Sequence, residues 1–217
     1  MTRKDIRDAV IARVGADWVD RNGIQKSTID DLIFDEYEKM VGDTNILEGQ
    51  YSGTTDGTNP YLEINESIML VKGVWYDWTV ASDWGTQLVE ASILDPNGDY
   101  ETGDPTSYFI QGMHRVNKQR LYFDNIPESG KTVRAIFYKW PDTLSSDATV
   151  MELKKLWGKA LKEVVISMVC NMGNDVRENQ IKRNLGSANY AAFEESMKVI
   201  RAIPKRPLQT TVFYRDI

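Results

Sequence analysis

One cysteine and one histidine are all that 217 residues provide of these two ligand types. A lone cysteine closes no intramolecular disulfide, so nothing implies an oxidising compartment. Cys170 lies in the apolar run Val164-Val165-Ile166-Ser167-Met168-Val169-Cys170 and reads as a buried structural thiol. His114, in Gln111-Gly112-Met113-His114-Arg115, has neither a sequence-adjacent carboxylate nor a Gly-x-Ser-x-Gly elbow elsewhere to work with. It reads as a loop or surface residue, and no metal site, cofactor site or catalytic residue is expected. No stretch approaches the roughly 20 apolar residues of a membrane span, and the first residues run into a helix, so no membrane anchor is expected. Positive charge is short as well. With 26 Lys and Arg against 32 Asp and Glu the net charge is -6, which disfavours a primary nucleic-acid binder. The one basic cluster is Lys198, Arg201, Lys205 and Arg206.

What is there reads as helix, strands, helix. Ile6, Ala9, Val10 and Val14 recur at helical spacing and stop at Gly15. Ser27-Thr28-Ile29-Asp30 resembles a capping box, opening a helix whose stripe is Ile29, Ile33, Tyr37 and Met40 and which Gly42 is placed to end. The stretch from Gly49 to Gly57 reads as a loop. Short β-type segments follow at Tyr61–Ile64, 68–78, 87–94, Ser107–Gln111, 120–123 and 132–140, with turn signals at Asp95-Pro96-Asn97-Gly98 and Glu128-Ser129-Gly130. After Pro141, Leu153, Trp157, Leu161, Val165, Val169 and Met172 form a stripe widened by Leu156, Ala160, Val164 and Met168. A helix with so broad an apolar girth is buried on more than one side, here against a neighbour as well as its own bundle. Thr149 or Asp147 is placed to cap it. A last helix from Asn174-Asp175 carries Ile181, Leu185, Ala188, Ala192 and Val199 on one face, with Phe193, Met197 and Ile200 beside it, and stops at Pro204.

The expected fold is therefore α+β. Residues 1–46 and 142–203 supply the N- and C-terminal helices of a bundle. Residues 47–141 form an inserted antiparallel β domain, a small sandwich or flattened barrel, and 204–217 form an extended arm.

Three motifs invite chemistry and fail on context. Gly130-Lys131-Thr132 ends like a P-loop, but Asn125 stands where glycine is needed and a strand follows instead of a helix. Asp95, Asn97, Asp99 and Glu101 alternate like a calcium loop, yet Tyr100 and Thr106 occupy the positions of its glycine and bidentate glutamate; a polar hairpin tip fits better. Trp75 reads as core, whereas Trp78 and Trp84 are placed nearer an edge or interface.

Between residues 47 and 203 the order of features resembles the head-to-tail adaptors of tailed bacteriophages, also called connectors or head-completion proteins. The resemblance rests on Gly103-Asp104-Pro105-Thr106-Ser107-Tyr108-Phe109, then Leu121-Tyr122-Phe123 with Pro127, then Ile136-Phe137-Tyr138-Lys139-Trp140-Pro141, followed by two long helices. Glu48-Gly49-Gln50-Tyr51 fits the entry to the β region. The sequence departs from the pattern at Asp147-Ala148-Thr149-Val150, where relatives often open the first long helix with proline.

The resemblance implies a structural, non-enzymatic virion protein at the head-tail junction, assembled in the host cytoplasm. Such proteins form a homo-oligomeric ring, usually a dodecamer, between portal protein and tail or nozzle proteins, and double-stranded DNA passes through it. The arm, with Arg201, Lys205, Arg206, Leu208, Val212, Phe213 and Tyr214, would contact the portal or a neighbour, and Trp78 and Trp84 the tail or an interface. Two other readings stand beside it. One is a β-domain binding module for a glycan or host protein, working through the tryptophans. The other is a virion-associated cell-wall hydrolase, which needs two carboxylates facing a cleft.

Overall fold

The computed structural model describes residues 1–65, 67–78, 85–91, 99–111, 119–142, 144–173 and 179–203. The fold is α+β and divides into two compact units, one from residues 1–44 with 142–217 and one from Asn45–Pro141.

The helical unit begins with α1 (Arg3–Val14), whose start is a reciprocal capping box. The Asp5 N–H donates to Thr2 Oγ1 at 3.1 Å and the Thr2 N–H to Asp5 Oδ2 at 2.8 Å. It ends at Gly15, whose φ of 103° lies in the region that favours glycine. A short α2 (Ala16–Arg21) follows, then α3 (Lys26–Thr44). Gly42 does not end α3. The helix runs on to bury Val41 and Thr44, and it is Asn45, at φ 48°, that turns the chain away. Asp30 is not a cap either, because its carboxylate accepts from Arg7 at 2.7 Å.

The two long C-terminal helices are α4 (Lys155–Asn171) and α5 (Asn179–Ala202). Neither Asp147 nor Thr149 caps α4, since its N-cap position is Lys154 and carries no side-chain bond. Thr149 Oγ1 accepts from the Ser146 N–H, and Asp147 accepts from both Arg3 and Arg7. That ion cluster and the Met151 N–H to Met1 carbonyl bond at 2.9 Å tie the approach to α4 onto the start of the chain. α4 packs against α1, α3 and α5 and buries Trp157, Leu161, Val164, Val165, Ile166 and Val169. Much of its wide apolar girth is thus covered within its own unit, while Leu156 and Met168 stay half-buried. Cys170 is buried on it, and burial pushes its thiol up from the ordinary value, which suits an inert role.

The β unit is a nearly closed seven-stranded mixed sheet of order β1-β7-β3-β4-β5-β6-β2. Its strands are β1 (Glu48–Thr54), β2 (Tyr61–Ile64), β3 (Ile68–Tyr76), β4 (Thr86–Glu90), β5 (Ser107–Gln111), β6 (Gln119–Phe123) and β7 (Thr132–Lys139). The core includes Ile64, Val74, Leu121, Phe123, Val133 and Phe137. The expected all-antiparallel sheet needs correction at one place, since β4 and β5 are parallel. Residues 91–106 join them, long enough for the crossover of a dozen or more residues that parallel strands need.

A second correction concerns 49–54, which reads as loop but forms β1 and pairs with β7 from Glu48↔Tyr138 to Thr54↔Thr132. The glycines that disguise the strand are there for space. A Cβ on Gly49 would run into the buried Phe137 ring directly across the pair. Gly49→Val is therefore expected to cost about 1–3 kcal/mol by overpacking, read as a lower urea midpoint with an unchanged slope.

Candidate assembly surface

Helix α5 carries two apolar lines, and only one is buried among the described residues of the unit. The inner line meets α4 through Gly186, Phe193, Ser196, Met197 and Ile200, with Met197 and Ile200 buried. Polar and small residues work here. Ser196 Oγ donates to Glu163 Oε2 at 3.0 Å, and a Cβ on Gly186 would lie 3.2 Å from the Cys170 Cβ, so the glycine permits close approach of the two helices. Lys182 donates its ammonium to the Val14 carbonyl and lies 5.7 Å from the Trp18 ring centroid, a cation at the C-terminal end of α1 where the helix dipole favours one.

The second line faces solvent. At 100° per residue, Ile181, Leu185, Ala188, Ala192 and Val199 fall within about 60° of one another. Ile181 is 71% exposed and Val199 50%, and Ile203, just past the helix end, is 43% exposed. Ile181 and Val199 share the face that their spacing marks out, and it is Met197 and Ile200, beside that face, that are buried. Hydropathy alone selects this line because the truly buried one contains Gly186 and Ser196. Met172, just past the end of α4, is 41% exposed, and Tyr190 is 49% exposed with its ring centroid 5.9 Å from that of Phe193.

Of the residues singled out from the sequence, Arg201 is described. It is exposed, pairs loosely with Asp43 at 3.5 Å, and lies on a different side of α5 from the solvent-facing line. Lys205, Arg206, Leu208, Val212, Phe213, Tyr214, Trp84 and His114 lie outside the described residues, as does the start expected for α5 at Asn174-Asp175. Trp78 is half-buried in the β unit. The Arg134 guanidinium sits 4.4 Å from its ring centroid and Trp75 meets it edge-on at 6.0 Å, so neighbours already use much of the ring. Gly130, at φ 82°, makes the turn into β7, and Lys131 is spent on Asp77 at 3.0 Å, which agrees with a hairpin and not a phosphate loop. The Gly-Asp-Pro-Thr-Ser-Tyr and aromatic motifs supply core, with Tyr108, Phe123, Phe137 and Tyr138 buried.

Among the described residues the carboxylates that the fold shifts are all held low. Asp56 is lowered mainly by the Asn59 and Thr58 backbone N–H groups, Asp124 by bonds from Thr106 and Ser107 against its burial, and Asp147 by Arg7 and then Arg3. A general acid needs the opposite shift. Cavities of about 400 Å³ beside Trp18 and Lys182, and about 340 Å³ beside Ser167 and Tyr190, bring no pair of acids together. Among the described residues no group of His, Cys, Asp and Glu is placed to hold a metal, and no helix is long and apolar enough to cross a membrane.

An exposed apolar line on the last long helix of an α+β chain is the kind of surface through which proteins meet one another. The chain belongs to the SU10 adaptor protein family, whose sequence model matches residues 1–211. That is a family of structural adaptors and not of enzymes, and it accords with the resemblance to phage head-to-tail adaptors carried by the β-region motifs. No curated protein matches the chain.

Proposed function

We propose that the chain is one subunit of a ring, a dodecamer, that docks under the portal of a tailed phage. The ring extends the DNA channel and offers a platform to tail or nozzle proteins, at the head-tail junction of a virion assembled in the host cytoplasm. In this reading residues 1–46 and 142–203 form a helical bundle that packs beside its copies, and residues 47–141 project as a β domain. Residues 204–217 serve as an arm, in which Arg201, Lys205, Arg206, Leu208, Val212, Phe213 and Tyr214 reach the portal or a neighbour. Trp78 and Trp84 meet the tail or an adjoining subunit.

Membership of the adaptor family supports the reading, and the observation that carries it to a ring is the solvent-facing line of α5. Three large apolar residues on or just past one helix, each more than two-fifths exposed, gain from burial against a neighbour. A net charge of -6 suits a wall past which DNA moves, because tight phosphate contacts would hold the duplex back.

The solution mass by light scattering, for the protein alone and with portal protein, tests this. A closed oligomer, formed alone or only on the portal, is the expected result. A monomer indifferent to the portal would remove the ring.

A further inference from the structure

The β unit leaves one long strand edge open. At the ends of the β1–β7 ladder the Lys139 N–H donates to the Leu47 carbonyl at 2.9 Å and the Thr55 N–H to the Lys131 carbonyl at 2.9 Å. Successive residues of an antiparallel strand send their backbone groups to opposite sides. The odd positions from 47 to 55 therefore turn toward β7, and Glu48, Gln50, Ser52 and Thr54 turn their N–H and C=O groups outward. β1 is an end strand of the sheet, and β7 is its one hydrogen-bonded neighbour among the described residues.

The usual defences of an edge are missing here. β1 has no proline and no lysine, and its register runs without a bulge. Its single charge, Glu48, is engaged by Lys72 at 2.5 Å. The opposite end of the sheet differs. The Phe123 N–H donates to the Pro60 carbonyl at 2.8 Å, so β2 turns out only Tyr61 and Glu63, and Glu63 is held by Arg120 at 3.3 Å.

We infer that the outward edge of β1 accepts the C-terminal segment Thr210–Tyr214 of a second copy, which adds to the sheet as an eighth strand. The segment Thr210-Thr211-Val212-Phe213-Tyr214 is β-branched and aromatic, uncharged and free of proline, and its length suits an edge with four outward positions. Residues 204–209 separate it from Ile203 and span about 20 Å when extended. That tether contains Pro204 and Pro207, which do not continue a helix, and Lys205 and Arg206, which suit approach to an acidic chain. The assignment rests on the ring reading, which sets copies side by side so that a tether of this length leaves one subunit for the next.

Backbone amide exchange across Glu48–Thr54, with the mass measured in parallel, tests it on the full-length protein and on full-length Val212→Pro and Thr211→Pro. Neighbouring residues of a strand point opposite ways, so one of the two prolines removes a donor facing β1 whatever the register. In the assembled wild type, Gln50, Ser52 and Thr54 are expected to exchange at least about tenfold more slowly than in the affected variant. Equal exchange in all three chains at the same oligomeric mass overturns strand addition and leaves the ring standing. Protection in a wild-type monomer overturns the second-copy assignment, because the strand would then come from the same chain. Absence of any oligomer, with or without portal and without such protection, overturns the ring and this assignment together.

Discussion

Arg7→Met is expected to cost about 3 kcal/mol of folding stability, at the low end of what removing one partner of a buried ion pair costs. The Arg7 side chain is 9% exposed and bridges Asp30 at 2.7 Å and Asp147 at 2.7 Å, joining α1 to α3 and to the segment before α4. Methionine fills similar space but leaves Asp30, itself 14% exposed, with only Arg3 at 3.7 Å. Urea denaturation reads the loss, and a change under about 1 kcal/mol would mean that solvent already screens the cluster. The same cluster sets an acid limb. Asp147 is held below the ordinary carboxylate range by Arg7 and Arg3, so its contribution is full above about pH 4 and fades as pH falls through the lowered folded value. Asp147→Asn is expected to lower stability at neutral pH and to flatten the decline below about pH 4.

The second large effect concerns assembly. Ile181→Asp with Val199→Asp is expected to leave the helical content and melting of the isolated subunit nearly unchanged while weakening ring closure at least about 100-fold. Each apolar side chain contributes about 1.5–3 kcal/mol when fully buried, and a carboxylate placed in the same contact adds a desolvation cost. Met197→Asp, on the inner line of the same helix, is expected to do the reverse. It buries a charge among α4 residues and unfolds the subunit before assembly is in question. A double variant that still assembles at wild-type concentrations would move the interface off this line of α5.

Local rules carried the sequence reading where one residue decides a local outcome. Gly15 ends α1 because its backbone needs φ 103°, and the aromatic segments around Tyr108, Phe123 and Phe137 are strands because such residues fit a half-buried pleat. Their order was enough to point to the adaptor family. Local rules failed where a distant residue decides. Gly49 looks like a loop glycine until Phe137 is seen across the ladder. Gly42 looks like a stop until the burial of Val41 and Thr44 holds the helix on to Asn45.

The sequence by itself determined the α+β class, the broad girth of α4 and the motifs that assign the family, because periodicity and composition act within a few residues along the chain. Tertiary structure alone decided which face of α5 turns inward, that β4 and β5 run parallel, and that β1 ends the sheet with its edge open. Those choices depend on which surfaces meet. Gly186 and Ser196 earn their inward place from close helix approach and a bond to Glu163, which no hydropathy pattern along α5 records.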